Sequence, residues 1–250
     1  MTTRPLPALW AAIREAAPRF RQTGAAAVLI LVTGCATEPN ANPHDPFEPF
    51  NRGVWRFNDT VDNAVVRPVA VAYRDVLPSP VRTGVNNFFG NLSDVWSFAN
   101  SVLQLKLESS AQNFMRVNVN TFFGLGGLLD VASEAGIDRH NEDFGQTLGR
   151  WGVPSGPYLV LPVLGPSTVR DTAALPVDWK GDLLTQIDNV PVRNSLYVLR
   201  GVDIRSNLLR AGQLLDDAAL DKYSFTRDAF LQRRRNDVYD GNPPDDDNGK

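Results

Sequence analysis

The chain has 250 residues, 43% of them hydrophobic, and a formal net charge of −3 at pH 7. This length and composition supply a hydrophobic core for one large domain or two small ones, and they exclude a wholly disordered chain. The acidic balance gives no electrostatic footprint for nucleic acid, so we expect no nucleic-acid partner.

Residues 1–34 predict a lipoprotein signal peptide. Arg14, Arg19 and Arg21 precede an apolar run over residues 25–32, which is the pattern of a secretory leader. The run is shorter than the roughly 20 apolar residues that span a bilayer. Without residues 1–34 the chain loses four arginines and one glutamate, and its net charge becomes about −6.

Cys35 is the only cysteine, and it follows small residues in a lipobox-like sequence, Leu31-Val-Thr-Gly-Cys35. A lone cysteine cannot form an internal disulfide or a thiolate metal cluster, so we predict covalent acyl chains on its sulfur and on the new amine. Several such chains, at about 0.8 kcal/mol per buried methylene, would hold the protein to a membrane. The alternative is a leader that merely contains a cysteine. Residues 35–46, rich in Pro and Asn, predict a flexible tether.

The first half of the body predicts a series of helices. Apolar residues recur at spacings of three and four from Phe50 to Val65, until Arg67-Pro68 is expected to interrupt the helix. Asn91 or Ser93 is a candidate cap for a later helix, and Gly124–Gly127 is expected to end the last one. The further helices are predicted at residues 69–76, 81–89, 94–107 and 108–122.

The second half is less regular. Residues 128–149 are mixed, and residues 149–167 carry too many Gly and Pro for a helix. A short extended segment is predicted at 158–164, limited to a sheet edge by its proline. Pro191 opens a longer helical region, and a last helix is predicted at 226–238. The sequence therefore predicts a helical domain over residues 47–240 and a disordered acidic tail over 241–250.

Catalytic residues are few. The two histidines, His44 and His140, have no metal-ligand spacing, and no Gly-x-Ser-x-Gly motif occurs. A triad of His140 with Ser133 or Ser155 and Asp143 has no support in the spacing over a solvated polar loop. We predict no enzyme activity, no metal and no cofactor.

Two charged clusters are interpreted as solvated. The acidic set lacks the alternating oxygen ligands of a calcium loop, and we expect a hydrated face there. The run Arg233–Arg235 is expected to compensate a helix dipole in solvent. The acidic set comprises Asp130, Glu134, Asp138, Glu142 and Asp143.

Two glycine-rich borders enclose a segment that could move as a unit. An ordinary long surface loop is an equally good interpretation. The candidate gating hinges are Gly124, Gly126, Gly127, Gly149, Gly152 and Gly156.

The first half is rich in aromatic residues, which are typical of segments at a bilayer interface. Core packing is the default for any one of them, but as a group beside a lipobox they are candidate lipid-path or membrane-contact residues. They are Phe50, Trp55, Phe57, Phe88, Phe89, Trp96 and Phe98.

Several ordered motifs resemble one known family, the MlaA (VacJ) phospholipid-binding lipoproteins of the outer membrane. They include Asp45-Pro-Phe-Glu-Pro-Phe-Asn-Arg52, Phe144-Gly-Gln-Thr-Leu-Gly149 and Gly165-Pro-Ser-Thr-Val-Arg-Asp171. The resemblance covers about residues 45–235. So many separate matches in one order make coincidence implausible.

The resemblance implies an all-α fold, a ring-like arrangement of short helices around an amphipathic channel, embedded in the inner leaflet of the outer membrane. It further implies that mislocalised phospholipids leave the outer leaflet through this channel, towards a periplasmic phospholipid carrier, beside outer-membrane porin trimers. Two alternatives stay open. One is an enzyme that acts on lipids, and the other is a structural, porin-associated scaffold without a lipid path.

Overall fold

The computed structural model describes residues 45–244. The predictions for the leader, Cys35, most of the tether and residues 245–250 lie outside this range. The chain divides into two units, Met1–Phe50 and Asn51–Lys250, and the contacts below belong to the second. The described chain is mostly helical, as predicted. Its helices are α1 Glu48–Val61, α2 Arg67–Val76, α3 Ser79–Leu103, α4 Leu107–Phe122, α5 Val131–Glu134, α6 Phe144–Arg150, α7 Val169–Gly181, α8 Val190–Asn207, α9 Leu209–Ala218 and α10 Lys222–Val238.

The predicted interruption at Arg67-Pro68 is wrong. A π-helical turn, Asp62–Val66, joins α1 to α2, and the Arg67 N–H donates to the Asp62 carbonyl five residues earlier. Pro68 then lies in the first turn of α2, directly after the π-helical turn, and has no N–H to donate. The wider turn therefore lets the chain pass a proline without leaving helical conformation.

The predicted break and cap near Asn91 and Ser93 are also wrong, because α3 runs unbroken through both residues. Asn91 is buried, and its amide donates to the Thr121 hydroxyl of α4 at 3.1 Å. A Cβ at Gly90 would lie 2.8 Å from the Arg139 guanidinium. Residues that favour caps and turns in isolation are thus held inside the helix by polar packing partners. The prediction for α4 is confirmed to within one residue.

An antiparallel hairpin follows α6, with strands β1 Tyr158–Leu161 and β2 Gly165–Thr168. It confirms the predicted extended segment over its first four residues. The Asn51 side chain of α1 pairs with β1 as an extra strand would, donating to the Tyr158 carbonyl at 3.0 Å and accepting from the Val160 N–H at 2.9 Å. An exposed sheet edge is thereby covered by a helix.

A conventional apolar cluster lies around this hairpin. Tyr158, Val160 and Tyr223 are almost completely buried. The tyrosine rings meet edge to face, with centroids 6.3 Å apart. The partly buried side chains packed against them are Val54, Trp55, Phe230 and Leu231.

Candidate functional site

The hairpin formed by α3 and α4, with its connecting turn, has inverted polarity. Its buried side chains are mainly polar, and many of its exposed side chains are large and apolar. Leu105 in the turn and Leu107 at the start of α4 are 83% and 82% exposed, and Phe122 at the end of α4 is 76% exposed. The buried polar residues are Asn91, Asp94, Ser97, Asn100, Ser101, Gln104, Ser110, Asn113, Arg116 and Asn120. Among residues 45–244, no helix is long and apolar enough to cross a membrane.

Arg116 is the centre of this polar interior and is completely buried. Its guanidinium donates to both carboxylate oxygens of Asp130, at 2.7 and 2.9 Å, and to the Ile137 carbonyl at 2.6 Å. Asp94, also completely buried, lies 3.4 Å from Arg116 and 3.0 Å from Arg139. A buried charge is tolerated only with such partners, because desolvation otherwise costs several kcal/mol per ion.

The pKa values of the two carboxyls of this network are shifted in opposite directions. Burial raises the pKa of Asp94 above its ordinary value, although the two arginines oppose it. Burial acts the same way on Asp130, but hydrogen bonds from Ser133, Asn120 and Arg116 outweigh it and hold the pKa of Asp130 well below its usual range. Asp130 therefore stays ionised and fixes the arginine beside it.

Amide side chains of α3 and α4 also bind the segment between the two glycine borders. Asn120 accepts from the Ala132 N–H at 2.8 Å. Asn113 donates to the His140 carbonyl at 3.0 Å and accepts from its N–H at 3.2 Å. The His140 ring contacts the Gln112 amide oxygen at 2.5 Å. The segment is thus tied to the hairpin by side chains, and its movement as a gate stays a prediction.

The candidate hinge glycines occupy tight turns and close contacts. A Cβ at Gly124 would lie 2.2 Å from the Leu129 carbonyl oxygen, and one at Gly149 would lie 2.6 Å from the Arg170 guanidinium. Glycine is the residue that adopts positive φ without steric cost. The remaining four have positive φ, namely Gly126 (72°), Gly127 (93°), Gly152 (90°) and Gly156 (68°).

A polar cavity of about 620 Å³ lies where α3, α7 and α10 meet the segment before α6. We call it the polar pocket. Six carboxylates and four guanidiniums line it, together with two tryptophans. Its principal lining residues are Trp96, Arg139, Glu142, Asp143, Asp178, Trp179, Asp182, Arg200, Arg233, Arg234, Asp237 and Asp240.

The interpretation of Arg233–Arg235 as a solvated cluster is wrong for Arg234. This side chain is 12% exposed, and it binds Asp143 through two 2.6 Å hydrogen bonds and Asp171 at 2.9 Å. Burial raises the pKa of Asp143, but the hydrogen bond and charge of Arg234 outweigh it and lower this pKa. The last helix is thus fastened to α6 and α7 by one arginine.

The hydrated-face interpretation of the acidic set also needs correction. Glu142 is buried and pairs with Lys106 at 2.7 Å. Asp130 and Asp143 are fixed by Arg116 and Arg234. Within the described range, no group of three or more His, Cys, Asp or Glu residues is placed to hold a metal ion.

Comparison with known families decides what this architecture belongs to. The family model described as MlaA lipoprotein matches residues 43–237. The chain belongs to the MlaA lipoprotein family. Two relatives are each named intermembrane phospholipid transport system lipoprotein MlaA. That of Escherichia coli K12 is 36% identical over 86% of this chain and 87% of its own length. That of Haemophilus influenzae Rd is 33% identical, over 85% and 88%.

A solved structure agrees with the MlaA assignment. It comes from work on the structural basis for maintenance of bacterial outer membrane lipid asymmetry, and it is 36% identical to this chain. It covers 79% of this chain and 99% of its own, with a TM-score of 0.68. The mostly helical MlaA fold predicted from the motifs is therefore confirmed, while the ring-like arrangement and its channel stay predictions.

Several residues of the MlaA motifs have structural roles. Asn51 pairs with β1, and Gln146, in a second motif, donates its N–H to the Asp143 side chain that caps α6. Asp171, in another motif, holds Arg234. The motifs therefore identify the fold through the residues that join its elements.

The candidate aromatic residues lie in different environments. Phe50 and Phe57 are 52% and 51% exposed, whereas Phe89 is 5% exposed. Trp55 packs edge to face on Tyr223 in the apolar cluster. The half-buried members are Trp55, Phe88, Trp96 and Phe98. Their contact with lipid stays a prediction.

The prediction overlooked the exposed apolar surface of α4 and of the residue after it, including Phe114, Phe122 and Phe123. A polar stripe at helical spacing, Ser110-Asn113-Arg116-Asn120, was the available signal. It shows that α4 has two faces, but not which of them meets solvent.

Proposed function

We propose that this protein is a non-enzymatic lipoprotein of the outer membrane that removes mislocalised phospholipids from the outer leaflet. The phospholipids pass through an amphipathic path towards a periplasmic carrier, and lipid asymmetry is thereby maintained. The names of the two relatives support this proposal, since both are lipoproteins of an intermembrane phospholipid transport system. The proposed partners are outer-membrane porin trimers and the periplasmic carrier, and the energy for transport comes from elsewhere in the system.

The inverted α3–α4 hairpin is the observation that carries the proposal. A protein surrounded by water gains stability by burying apolar side chains and solvating charged ones. Here Asp94 and Arg116 are completely buried while Phe122 and Leu107 are mostly exposed. Such an arrangement suits a body whose outer surface meets hydrocarbon. We therefore propose that the hairpin is embedded in the inner leaflet, with the acyl chains on Cys35 as a second anchor.

The polar pocket supports the second part of the proposal, a route for a lipid headgroup. A phosphate moved into hydrocarbon without polar partners would carry a large desolvation cost. The pocket offers guanidinium and carboxylate groups beside the Trp96 and Trp179 indoles. Polar groups can thus solvate the headgroup while apolar surface accommodates the acyl chains.

The amount of phospholipid in the outer leaflet tests the function. It is measured with an enzyme that takes an acyl chain only from surface-exposed phospholipid, so that the amount of acylated product reports the outer-leaflet phospholipid. Deletion of the gene should raise the product, and the wild-type gene should restore it. Cys35→Ala should not restore it, because the acyl anchor would be lost. If deletion leaves the outer leaflet unchanged, lipid removal is wrong, and a structural scaffold would explain the protein better.

A further inference from the structure

The polar pocket contains one carboxylate without a cation. Its other carboxylates each have a basic partner within 4 Å. Asp178 has no Arg or Lys at that distance among residues 45–244. The paired carboxylates are Glu142 and Asp240 with Lys106, Asp143 with Arg234, Asp182 with Arg200, and Asp237 with Arg233.

The Asp178 carboxylate is held by one oxygen only. Its Oδ1 accepts from the Trp96 indole N–H and from the Phe144 backbone N–H, both at 2.8 Å. Its Oδ2 makes no hydrogen bond in the part of the chain that the structure describes. Burial raises the pKa of Asp178, as expected for a partly buried carboxyl without a counter-cation. The two hydrogen bonds to Oδ1 therefore fix the orientation of the Asp178 carboxylate, and Oδ2 can accept a hydrogen bond from a ligand.

Two indoles accompany this carboxylate in the pocket. A Cβ at Gly181 would lie 2.3 Å from the Trp96 ring, so the ring rests directly on the end of α7. Gly181 and Asp178, one turn apart on α7, together fix Trp96. Trp179 lines the same pocket and is 52% exposed. A carboxylate oxygen in a pocket that two indoles line is a suitable environment for an ammonium group.

We propose that Asp178, with Trp96 and Trp179, binds the primary ammonium group of a zwitterionic phospholipid headgroup. This inference rests on the proposed function and adds a headgroup preference to it. A phosphoethanolamine headgroup supplies the cation that Asp178 lacks, while a phosphoglycerol headgroup offers only hydroxyls. Because Asp178 is the carboxylate of the lining that has no basic partner within the described residues, the pocket should favour the zwitterionic lipid.

The test uses the full acylated protein, purified in detergent and equilibrated with micelles that contain equal amounts of phosphatidylethanolamine and phosphatidylglycerol. Bound lipid is then quantified by mass spectrometry. The wild type should enrich the ethanolamine lipid about tenfold, the usual effect of one charge-assisted hydrogen bond. Asp178→Asn, which can still accept from Trp96 and Phe144, should return the bound ratio close to that of the micelles.

The matched control is Asp237→Asn, which removes one negative charge from the same pocket but only loosens the 3.6 Å pair with the exposed Arg233. It should retain the enrichment. Trp179→Leu leaves Asp178 in place and should reduce the enrichment about threefold, the contribution of one exposed cation–π contact. If Asp178→Asn keeps the full enrichment, or if wild type binds lipid in the micelle ratio, the ammonium site is wrong and the transport proposal stands. If wild type binds no phospholipid, both are overturned.

Discussion

The cluster around β1 and the α3–α4 hairpin bury side chains of opposite polarity. Around β1, Tyr158, Val160 and Tyr223 are buried and apolar packing predominates. In the hairpin, Arg116 and Asp94 occupy the interior and Phe122 points outward. The first region has the polarity of an ordinary water-soluble protein, whereas the second has the polarity expected beneath a hydrocarbon surface.

This difference implies that the two regions respond differently to the same kind of change. An apolar cluster loses stability in proportion to the apolar area and cavity that a substitution creates. A buried ionic network loses most when one partner is removed, because the remaining charge stays in a medium of low dielectric constant. The effect of a substitution therefore depends on its region, and three measurements examine that distinction.

The largest effect is expected for Arg116→Met. It leaves the completely buried Asp94 and the Asp130 carboxylate without this guanidinium, and Arg139 alone cannot replace its hydrogen bonds. The free energy of unfolding, measured by denaturant titration in detergent micelles, should fall by about 3–5 kcal/mol.

The control for this measurement is Arg67→Met, which breaks a solvent-exposed 3.4 Å pair with Asp216. It should cost at most about 1 kcal/mol. Equal losses in the two variants would mean that the hairpin interior is hydrated and that its polarity is not inverted.

An intermediate effect is expected for Phe122→Asp on membrane partition. A form that begins at residue 36, produced behind a cleavable leader, would bind lipid vesicles through its protein surface alone. Losing one buried phenyl ring should weaken partition by about 2 kcal/mol, or about thirtyfold. Phe122→Leu keeps an apolar side chain and should change partition by less than about threefold. Unchanged partition in Phe122→Asp would place this face away from lipid.

The sequence predicts the helices of the hairpin better than its orientation. Residues 108–122 were predicted as a helix and form one. The break near Asn91 was wrong, because propensity describes an isolated helix and the hydrogen bond to Thr121 comes from another element. Likewise, helical periodicity separates a polar from an apolar face but does not say which is outside, since that depends on the surrounding medium.

The sequence did not predict the residues of the polar pocket as a group. Trp96 was named, but as one of several aromatics, and nothing in the sequence connects it to Asp178, 82 positions later. Similarly, a run of three arginines does not reveal that Arg234 alone meets Asp143 and Asp171. The helix α7 was not predicted, and Pro176 within it obscured the pattern, although the Thr168 side chain accepts from the Asp171 N–H at its start. The contacts of Trp96 and Arg234, in contrast, are long-range, and local patterns do not encode them.

The smallest effect is expected when the pH is lowered, because each carboxyl of the hairpin interior then binds a single proton. The folded pKa of Asp130 lies below its ordinary 3.8, so its contribution to stability is complete above that value and is lost as pH falls towards the folded pKa. A single proton changes stability by at most about 1.4 kcal/mol per pH unit, and this change is appreciable only below the ordinary pKa of 3.8. The free energy of unfolding in micelles should therefore fall by about 1 kcal/mol between pH 5 and 3 through this residue. Asp130→Asn should show a correspondingly shallower fall in the free energy of unfolding.

Asp94, whose pKa is raised, has the opposite effect, because its protonation at low pH stabilises the folded chain. Asp94→Asn should therefore steepen the loss of stability in acid. If both variants lose stability with falling pH as wild type does, the pKa values of the two carboxyls differ little between the folded and unfolded chains. The hairpin interior would then be as well solvated as the surface.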